Sequence, residues 1–363
     1  MRMNQKKEII QQLKSIYHKK SGKYLNSDDL LKSISITNDV VTLTFHETPG
    51  SYEIKLLENK IEENIFAISW VKELEINLAI RNKQNNSHEE GLTNVANIIA
   101  ISSCKGGVGK STMALNIATA LSLNGAQVGI FDADIYGPSL PALIKPQEIA
   151  AISDEESLPP FINQNIKLMS YGYIQEQANQ PAILRGPIAS NLLKQMLFKT
   201  DWGHLDYLII DCPPGTGDII LSLTQEIQLD GSIIITTPHE LSYIDVEKGI
   251  EMFNKVKVPI LGMVENMSYF QCGSCNEKHS IFGSGRLQRT ASKYHIKSWY
   301  EIPINQEISS YQDKNIPFLL QSKNNETIDL FKKIGNDIAW QLIESETKID
   351  LKVDYDNSTS MIN

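Results

Sequence analysis

The run Cys-Lys-Gly-Gly-Val-Gly-Lys-Ser-Thr at residues 104–112 constrains the fold of this chain more than any other stretch. An apolar, β-rich segment at 97–101 precedes it, and residues 113–121 follow with apolar side chains at helical spacing. A strand, a glycine-rich turn and a helix in this order are the context that a phosphate-binding loop requires. The run therefore predicts a loop of this kind within an α/β domain.

The residue types in the loop suit phosphate binding. Its glycines let backbone N–H groups approach phosphate oxygens closely, and the following helix N-terminus adds roughly half a positive charge. Lys110 can reach the β- and γ-phosphates, and the Ser111 hydroxyl can ligate magnesium. The candidate nucleotide-binding residues are Cys104, Lys105, Gly106, Gly107, Val108, Gly109, Lys110, Ser111 and Thr112.

Size and charge limit the class of protein. A chain of 363 residues with 41% hydrophobic residues is long enough for one large domain and one small domain. A net charge of −9 argues against a protein held to nucleic acid through phosphate contacts. No apolar run reaches the ~18 residues of a membrane span, the N-terminus has no signal-peptide pattern, and four cysteines make no disulfide scaffold. We therefore expect a cytoplasmic protein with neither a membrane nor a nucleic-acid partner.

Residues 1–81 predict a small α+β domain. The patterns there indicate a helix around 9–17, a short helix with Leu30 and Leu31 capped by 27–29, a hairpin around 38–39, a helix over 52–66 and a strand over 74–80. The polar segment 82–94 is expected to be a linker.

Residues 95–345 alternate between strand and helix patterns. Apolar runs at 128–131, 207–210, 232–236 and 260–264 each end near a polar residue. Runs that are apolar on both faces predict a doubly wound, mostly parallel sheet covered on both sides, with ligands at the carboxyl ends of its strands. The polar tail 346–363 is expected to be frayed.

Carboxylates follow two of these predicted strands. Asp211 ends one run and is a candidate for holding the magnesium shell, while Asp132 or Asp134 could position the attacking water. The turn at 212–218, Cys-Pro-Pro-Gly-Thr-Gly-Asp, could sense the γ-phosphate. Lysine, magnesium and one or two carboxylates are sufficient for phosphoryl transfer, because that reaction needs mainly positioning and charge neutralisation.

Cys272 and Cys275 form the only closely spaced cysteine pair. Their spacing lets both thiolates face one metal ion or cluster, but two thiolates do not complete a site. A symmetric dimer in which each chain donates its pair would supply four. The alternatives are structural zinc, through a dimer or with His279 as third ligand, a redox pair, or a chance pair. Spacing alone does not separate a cluster from zinc.

The other two cysteines, Cys104 and Cys212, are expected to be small packed residues near the loop. Both follow predicted strands that we expect to be neighbours. One hypothesis is that they form an oxidation-sensitive pair that blocks nucleotide binding.

Several motifs together resemble two related families. The run KGGVGKST resembles the deviant Walker A loop of MinD/ParA-type ATPases. The runs CKGGVGKST, GIFDADIYGPSLP, RGP, WGHLDYLIIDCPPGTGD, TTPHELSYIDVEKGIEMF and VPILGMVENMSYF, with the CxxC, look like the Mrp/ApbC-type P-loop ATPases over roughly residues 95–320.

The resemblance implies specific roles. Lys105 would reach the partner's nucleotide across a homodimer, and Cys272 and Cys275 of each chain would hold a bridging 4Fe–4S cluster. The protein would bind ATP and Mg²⁺, hydrolyse ATP slowly, and pass the cluster from an assembly scaffold to apo-proteins. The first 80 residues occupy the place of the small domain, of the MIP18/iron–sulfur assembly type, that often precedes this ATPase.

Two departures from the family pattern stand out. Cys104 replaces the first glycine of the loop, as in chloroplast-type relatives, so nucleotide binding is expected to survive. No cysteine precedes Cys104, which speaks against a direct metal role for the N-terminal domain.

Two other functions compete. A ParA/MinD-like positioning ATPase would need a C-terminal amphipathic helix or a basic face, and the acidic tail and the net charge speak against both. A metal-independent regulatory ATPase would leave the cysteines incidental.

Overall fold

The computed structural model describes residues 2–18, 23–27, 30–37, 39–46, 60–79, 91–152, 156–178, 186–215, 224, 226–323 and 326–342. The chain divides into two compact units, Met1–Gln84 and Asn85–Asn363.

The first unit combines helices with a small mixed sheet. Its elements are α1 (Arg2–Leu13), β1 (Tyr17–His18), β2 (Lys23–Tyr24), β3 (Leu31–Thr37), β4 (Val40–His46), α2 (60–66) and β5 (Glu73–Ala79). Strand β4 pairs antiparallel with β3 and parallel with β5, while β1 and β2 form a separate antiparallel pair. Apolar side chains from both helices and from the sheet form one core: Ile9, Leu13, Ile16, Val41, Leu43, Phe45, Ile61 and Ile65.

The sequence predicts most of this unit correctly. The first helix, the hairpin around Asp39 and the strand at 74–79 are confirmed, and Asp39 takes a left-handed φ of 64° in the turn. The short helix at Leu30 and Leu31 is wrong, because Leu31 begins β3 opposite Phe45. Pairing with β4 outweighs the local capping signal there. Of the helix predicted over 52–66, residues 60–66 are helical and 52–59 lie outside the described residues.

The second unit is built on a nine-stranded sheet. Its strands are β6 (Val95–Ser102), β7 (Val128–Asp132), β8 (Glu148–Ile149), β9 (Phe161–Asn163), β10 (Ile166–Ser170), β11 (Leu205–Asp211), β12 (Gly231–Thr236), β13 (Ile260–Glu265) and β16 (Trp299–Glu301). The strand order is β16-β13-β12-β6-β11-β7-β10-β9-β8. The strands from β16 to β10 are parallel, and β9 and β8 extend one edge as antiparallel strands.

Helices cover both faces of this sheet. They are α3 (Lys110–Leu123), α4 (Leu140–Leu143), α5 (Tyr171–Ala178), α6 (Gly186–Lys199), α7 (Glu240–Lys255), α8 (Arg286–Lys293), α9 (Gln306–Gln312), α10 (Phe318–Gln321) and α11 (326–342). Alternate residues of β6 enter two separate cores, Ile99 and Ile101 with α3, and Ile98 and Ala100 with α6 and α7. The predicted doubly wound, mostly parallel sheet is therefore confirmed.

The carboxyl ends of the central strands lie side by side. Asp211 of β11 pairs in register with Asp132 of β7, and Thr236 of β12 pairs with Glu265 of β13. This edge is where an open α/β sheet binds its ligand. A short hairpin of β14 (Phe270–Gln271) and β15 (Lys278–His279) follows β13. Within the described residues, no helix combines the length and apolar content that crossing a membrane would require.

Candidate functional site

The glycine-rich loop joins β6 to α3 at the ligand edge of the sheet. Gly107 and Gly109 take left-handed φ angles of 78° and 82°, and Gly109 is the N-cap of α3. A Cβ on Gly109 would lie 2.4 Å from Nδ2 of Asn266, so glycine is required there for space as well as for conformation. Successive backbone N–H groups in such a conformation form a concavity for anions, as the sequence predicts.

Lys110 and Asp211 form a buried ion pair beside the loop. The Lys110 ammonium donates to the Asp211 carboxylate and also lies 3.3 Å from Ser111 Oγ. Burial raises the pKa of Asp211, and the charge of Lys110 opposes that rise. The structure thus brings together the lysine predicted to reach the phosphates, the hydroxyl predicted to ligate magnesium and the carboxylate predicted at the strand end.

Asp132 and Asp134 differ in their surroundings. Asp132 is 1% exposed and accepts hydrogen bonds from the backbone N of Asp134 and Leu140 and from Ser170 Oγ at 3.0–3.2 Å. Burial, with the nearby charge of Asp211, raises the pKa of Asp132 to about 7. Asp134 is only partly buried and accepts from Gly137 N at 3.1 Å. Asp132 is thus held by the fold, whereas Asp134 is accessible at the edge of the site.

Three contacts at the loop involve side chains for which the sequence predicts no role. Asn266 Nδ2 donates to the Val108 carbonyl at 2.9 Å, and Gln312 Nε2 donates to Thr112 Oγ1 at 2.7 Å. Ser139 Oγ lies 3.2 Å from Ser111 Oγ. Asn266 directly follows β13, so the convergence of strand ends could have indicated it. Gln312 follows no strand and carries no motif, and no sequence signal marks it.

The turn predicted at 212–218 is only partly described. Residues 212–215 follow β11, and Gly215 N donates to the Ser103 carbonyl at 2.8 Å, which places this part beside the loop. Residues 216–218 lie outside the described residues, as does Arg185 of the RGP motif.

Cys272 and Cys275 lie in the turn between β14 and β15. Cys272 N donates to Glu277 O at 3.0 Å, Asn276 N donates to Cys272 O at 2.8 Å, and Asn276 has a left-handed φ of 59°. The backbone N–H of Ser274, then that of Cys275, and the Cys275 side chain lower the pKa of Cys272. Cys272 is partly exposed and Cys275 is exposed. A tight turn that directs N–H groups at a sulfur favours the thiolate, which is the form that binds metals.

His279 does not complete this site. It lies on β15 opposite Phe270, and its Nε2 is 3.9 Å from Glu277 Oε2. Across the described part of the chain, no three His, Cys, Asp or Glu side chains are grouped so that they could hold a metal ion. The hypothesis of zinc held by both cysteines and His279 is therefore wrong, since the described residues place no third ligand with the pair.

Cys104 and Cys212 are both free thiols. Burial raises the pKa of Cys104 to about 11 and that of Cys212 to about 12. Because the thiolate is the reactive form, burial works against the hypothesis that these two residues are an oxidation-sensitive pair.

A glycine loop between a strand and a helix, a buried lysine and a strand-end carboxylate on a mostly parallel sheet together define a P-loop nucleotide-binding protein. Residues 94–339 match the family model described as ParA, the NUBPL iron-transfer P-loop NTPase. This chain belongs to that family, whose members are P-loop NTPases. The predicted class is therefore confirmed.

Curated relatives and a solved structure agree with this assignment. The chloroplastic Fe-S cluster assembly factor HCF101 of Oryza sativa subsp. japonica is 36% identical over 98% of this chain and 68% of its own length. The iron-sulfur cluster carrier protein of Escherichia coli (strain K12) is 42% identical over 76% of this chain and 74% of that protein. A nucleotide-binding protein from Archaeoglobus fulgidus, solved with ADP, is 36% identical with a TM-score of 0.55 and covers 64% of this chain and 91% of its own. The chain spans about two thirds of the length of the plant relatives.

Proposed function

We propose that this protein binds and slowly hydrolyses ATP and carries a labile iron–sulfur cluster between two copies of the chain. The cluster is cargo: it is received from an assembly scaffold and delivered to apo-proteins. The names of the relatives, an iron-sulfur cluster carrier and an Fe-S cluster assembly factor, support this class of cargo. We place this activity in the cytoplasm, without a membrane or nucleic-acid partner.

The observation that carries the proposal is the incomplete cysteine site. Two sulfurs lie on an exposed hairpin, one of them with a lowered pKa, and the described residues supply no third ligand. A [4Fe–4S] cluster takes four thiolates, which two chains related by a two-fold axis provide. Exposure suits a cargo site, because a cluster that must be handed over needs open access.

The nucleotide site supports the other half of the proposal. Lys110 leaves Asp211 and turns to the phosphates when ATP binds, and Lys105, which is exposed on the loop, serves the partner's nucleotide. The oxygen donors at Ser111 and Asp211 fit magnesium, which prefers such ligands. When bound, magnesium neutralises phosphate charge and so favours phosphoryl transfer.

We assign the water-positioning role to Asp134 and a supporting role to Asp132. Both carboxylate oxygens of Asp132 already accept hydrogen bonds from the protein. Asp134 is partly exposed, and its backbone N is held by Asp132, so Asp132 orients the residue that would face the attacking water. General acid–base and positioning groups must lie within hydrogen-bond reach of the water, which an accessible carboxylate can do.

Anaerobic reconstitution with iron and sulfide tests the proposal. We expect a brown protein with absorbance near 400 nm that is lost in Cys272→Ser and in Cys275→Ser. Cys212→Ala is the matched control, because Cys212 is fully enclosed in the core, and we expect it to keep the colour. A colourless parent protein, or a Cys272→Ser variant with its full colour, would contradict the proposal.

A further inference from the structure

Asn266 connects the end of β13 to the nucleotide loop. Its Nδ2 donates to Val108 O at 2.9 Å, its Oδ1 accepts from Met267 N at 3.0 Å, and its own N donates to Thr236 O at 2.8 Å. The residue is 7% exposed. A buried amide with both ends engaged has a single orientation, so the contact with the loop is fixed.

The Asn266 side chain packs closely against the loop. The space at Gly109 is filled by the Asn266 amide to the point that a Cβ would overlap it. Gly109 directly precedes Lys110, and its neighbours turn their N–H groups toward a phosphate when one binds. Any adjustment of the loop at Val108 and Gly109 therefore acts directly on Asn266.

The chain from Asn266 to Cys272 is also held along its length. Met267 turns it with a left-handed φ of 56°, Ser268 N donates to Ile302 O at 2.9 Å, and Ile304 N donates to Tyr269 O at 2.7 Å. Strand β14 begins at the next residue, Phe270, and leads into Cys272. We call residues 266–271 the strut.

The strut is also fixed to the far strand of the cysteine hairpin and to the sheet. The Lys278 ammonium lies 4.4 Å from the centre of the Tyr269 ring. Ser268 Oγ donates to the buried Glu265 carboxylate at 2.7 Å, which also accepts from the Tyr243 hydroxyl. Because the strut is held at each of these points, a displacement at one end moves the whole segment rather than one residue.

We propose that Asn266 is a positioning residue that couples the state of the nucleotide loop to the geometry and access of the Cys272 and Cys275 thiols through the strut. The inference deepens the proposed function, since it assumes that the loop binds ATP and that the thiols hold the cargo. Phosphate binding shifts the Val108 carbonyl, Asn266 follows its acceptor, and the strut changes the presentation of the two sulfurs. The coupling is reciprocal. A filled thiol site therefore changes the affinity for nucleotide by the same factor by which nucleotide changes the affinity of the thiols for their cargo.

Thiol alkylation of the metal-free full chain tests this coupling. Iodoacetamide labelling of Cys272 and Cys275 is followed by peptide mass spectrometry, with and without saturating magnesium and a non-hydrolysable ATP analogue. We expect the analogue to change the labelling rate of the parent protein at least about fivefold, the lower end of ordinary coupling between sites. In Asn266→Ala and in the equal-sized Asn266→Asp, which lacks the donor to Val108, we expect a change of less than about twofold.

Asn163→Ala is the matched control. Asn163 is 8% exposed and its Nδ2 donates to the Lys145 carbonyl at 2.6 Å, so its removal costs a comparable bond on the antiparallel edge of the sheet. We expect this variant to keep the parent ratio. A merely structural Asn266 would alter labelling equally in both nucleotide states, and an unchanged ratio in both Asn266 variants would overturn the proposal.

Cluster reconstitution of the same protein preparation, run beside the labelling, distinguishes this failure from failure of the proposed function. A parent protein that takes up the cluster but labels at one rate with and without the analogue contradicts the coupling and leaves the carrier function standing. A parent protein that takes up no cluster contradicts the carrier function, while its labelling ratio still decides whether loop and thiols are coupled.

Discussion

The nucleotide loop and the cysteine hairpin lie in the same unit but are built in opposite ways. At the loop, Lys110, Asp132 and Asp211 are buried, and each has its partners within one chain. At the hairpin, Cys275 is exposed and Cys272 is partly exposed, and the described residues complete no metal site around them. The loop has its parts within one chain, whereas in our proposal the cysteine site is completed by a second copy of the chain.

The difference fits the functions that we propose for the two sites. Buried charges interact strongly, and phosphoryl transfer depends on such preorganised charge. In the proposed function the cysteine site holds cargo that must arrive and leave, and exposure and ligands on two separable chains would suit that role. The strut is the short covalent path between these two kinds of site.

The largest effect is expected from removing the charge of the loop lysine. Lys110→Met keeps the methylene stem, and we expect ATP hydrolysis to fall by about 10²–10³-fold, since one preorganised donor contributes about that much. Iron content after reconstitution should stay at the parent level, because the thiols are untouched. Phosphate release and iron analysis measure the two quantities.

Lys248→Met is the control for this change, because Lys248 is exposed and pairs only with Asp245 among the ion pairs described. Hydrolysis by Lys110→Met within about tenfold of the parent would contradict the assignment, since a removed phosphate donor costs more than that.

The next largest effects are expected from substituting the two carboxylates at and just after the end of β7 in the nucleotide site. We expect Asp134→Asn to lower kcat by about 10²-fold or more with little change in stability, as a lost water-positioning group does. Asp132→Asn should lower kcat less and shift the unfolding midpoint more, because it loses acceptors for Leu140 N and Ser170 Oγ. The reverse order of effects would exchange the two roles.

The pH dependence of stability gives a smaller effect with a definite sign. The pKa of Asp132 is raised by burial to about 7 in the fold from its ordinary value of 3.8, so between these values the folded state binds more protons than the unfolded chain. Stability therefore falls as pH rises from about 4 to 7. Because the side chain of Asp132→Asn does not titrate, the fall should be clearly shallower in that variant.

Urea unfolding at several pH values measures this slope for both proteins. Parallel curves for the parent and Asp132→Asn would mean that burial of Asp132 does not perturb its titration.

Much of the nucleotide site could be predicted from the sequence because its signals are local. The strand, the glycines, the lysine and the helix are contiguous in the sequence. An apolar run that ends in Asp211 predicts the end of a strand. Asn266 and Gln312 were missed because their contacts with the loop join residues 158 and 200 positions apart. Such contacts depend on the sheet order, which no single stretch of sequence encodes.

The errors have the same cause. The capping signal at 27–29 is local, but Leu31 pairs with β4 and therefore lies in a strand. His279 lies at a spacing that suits a metal ligand, yet its strand pairing with Phe270 does not bring it into a group with the cysteines. The difference between Asp132 and Asp134 also depends on Ser170, which a neighbouring strand supplies.

The most direct test of the account is the mass and iron content of one anaerobically reconstituted sample, measured by light scattering and iron analysis. If two chains share one cluster, the particle has about twice the 40.8 kDa of the chain and carries about two iron atoms per chain. A 40.8 kDa particle that holds a complete cluster on a single chain would contradict the account.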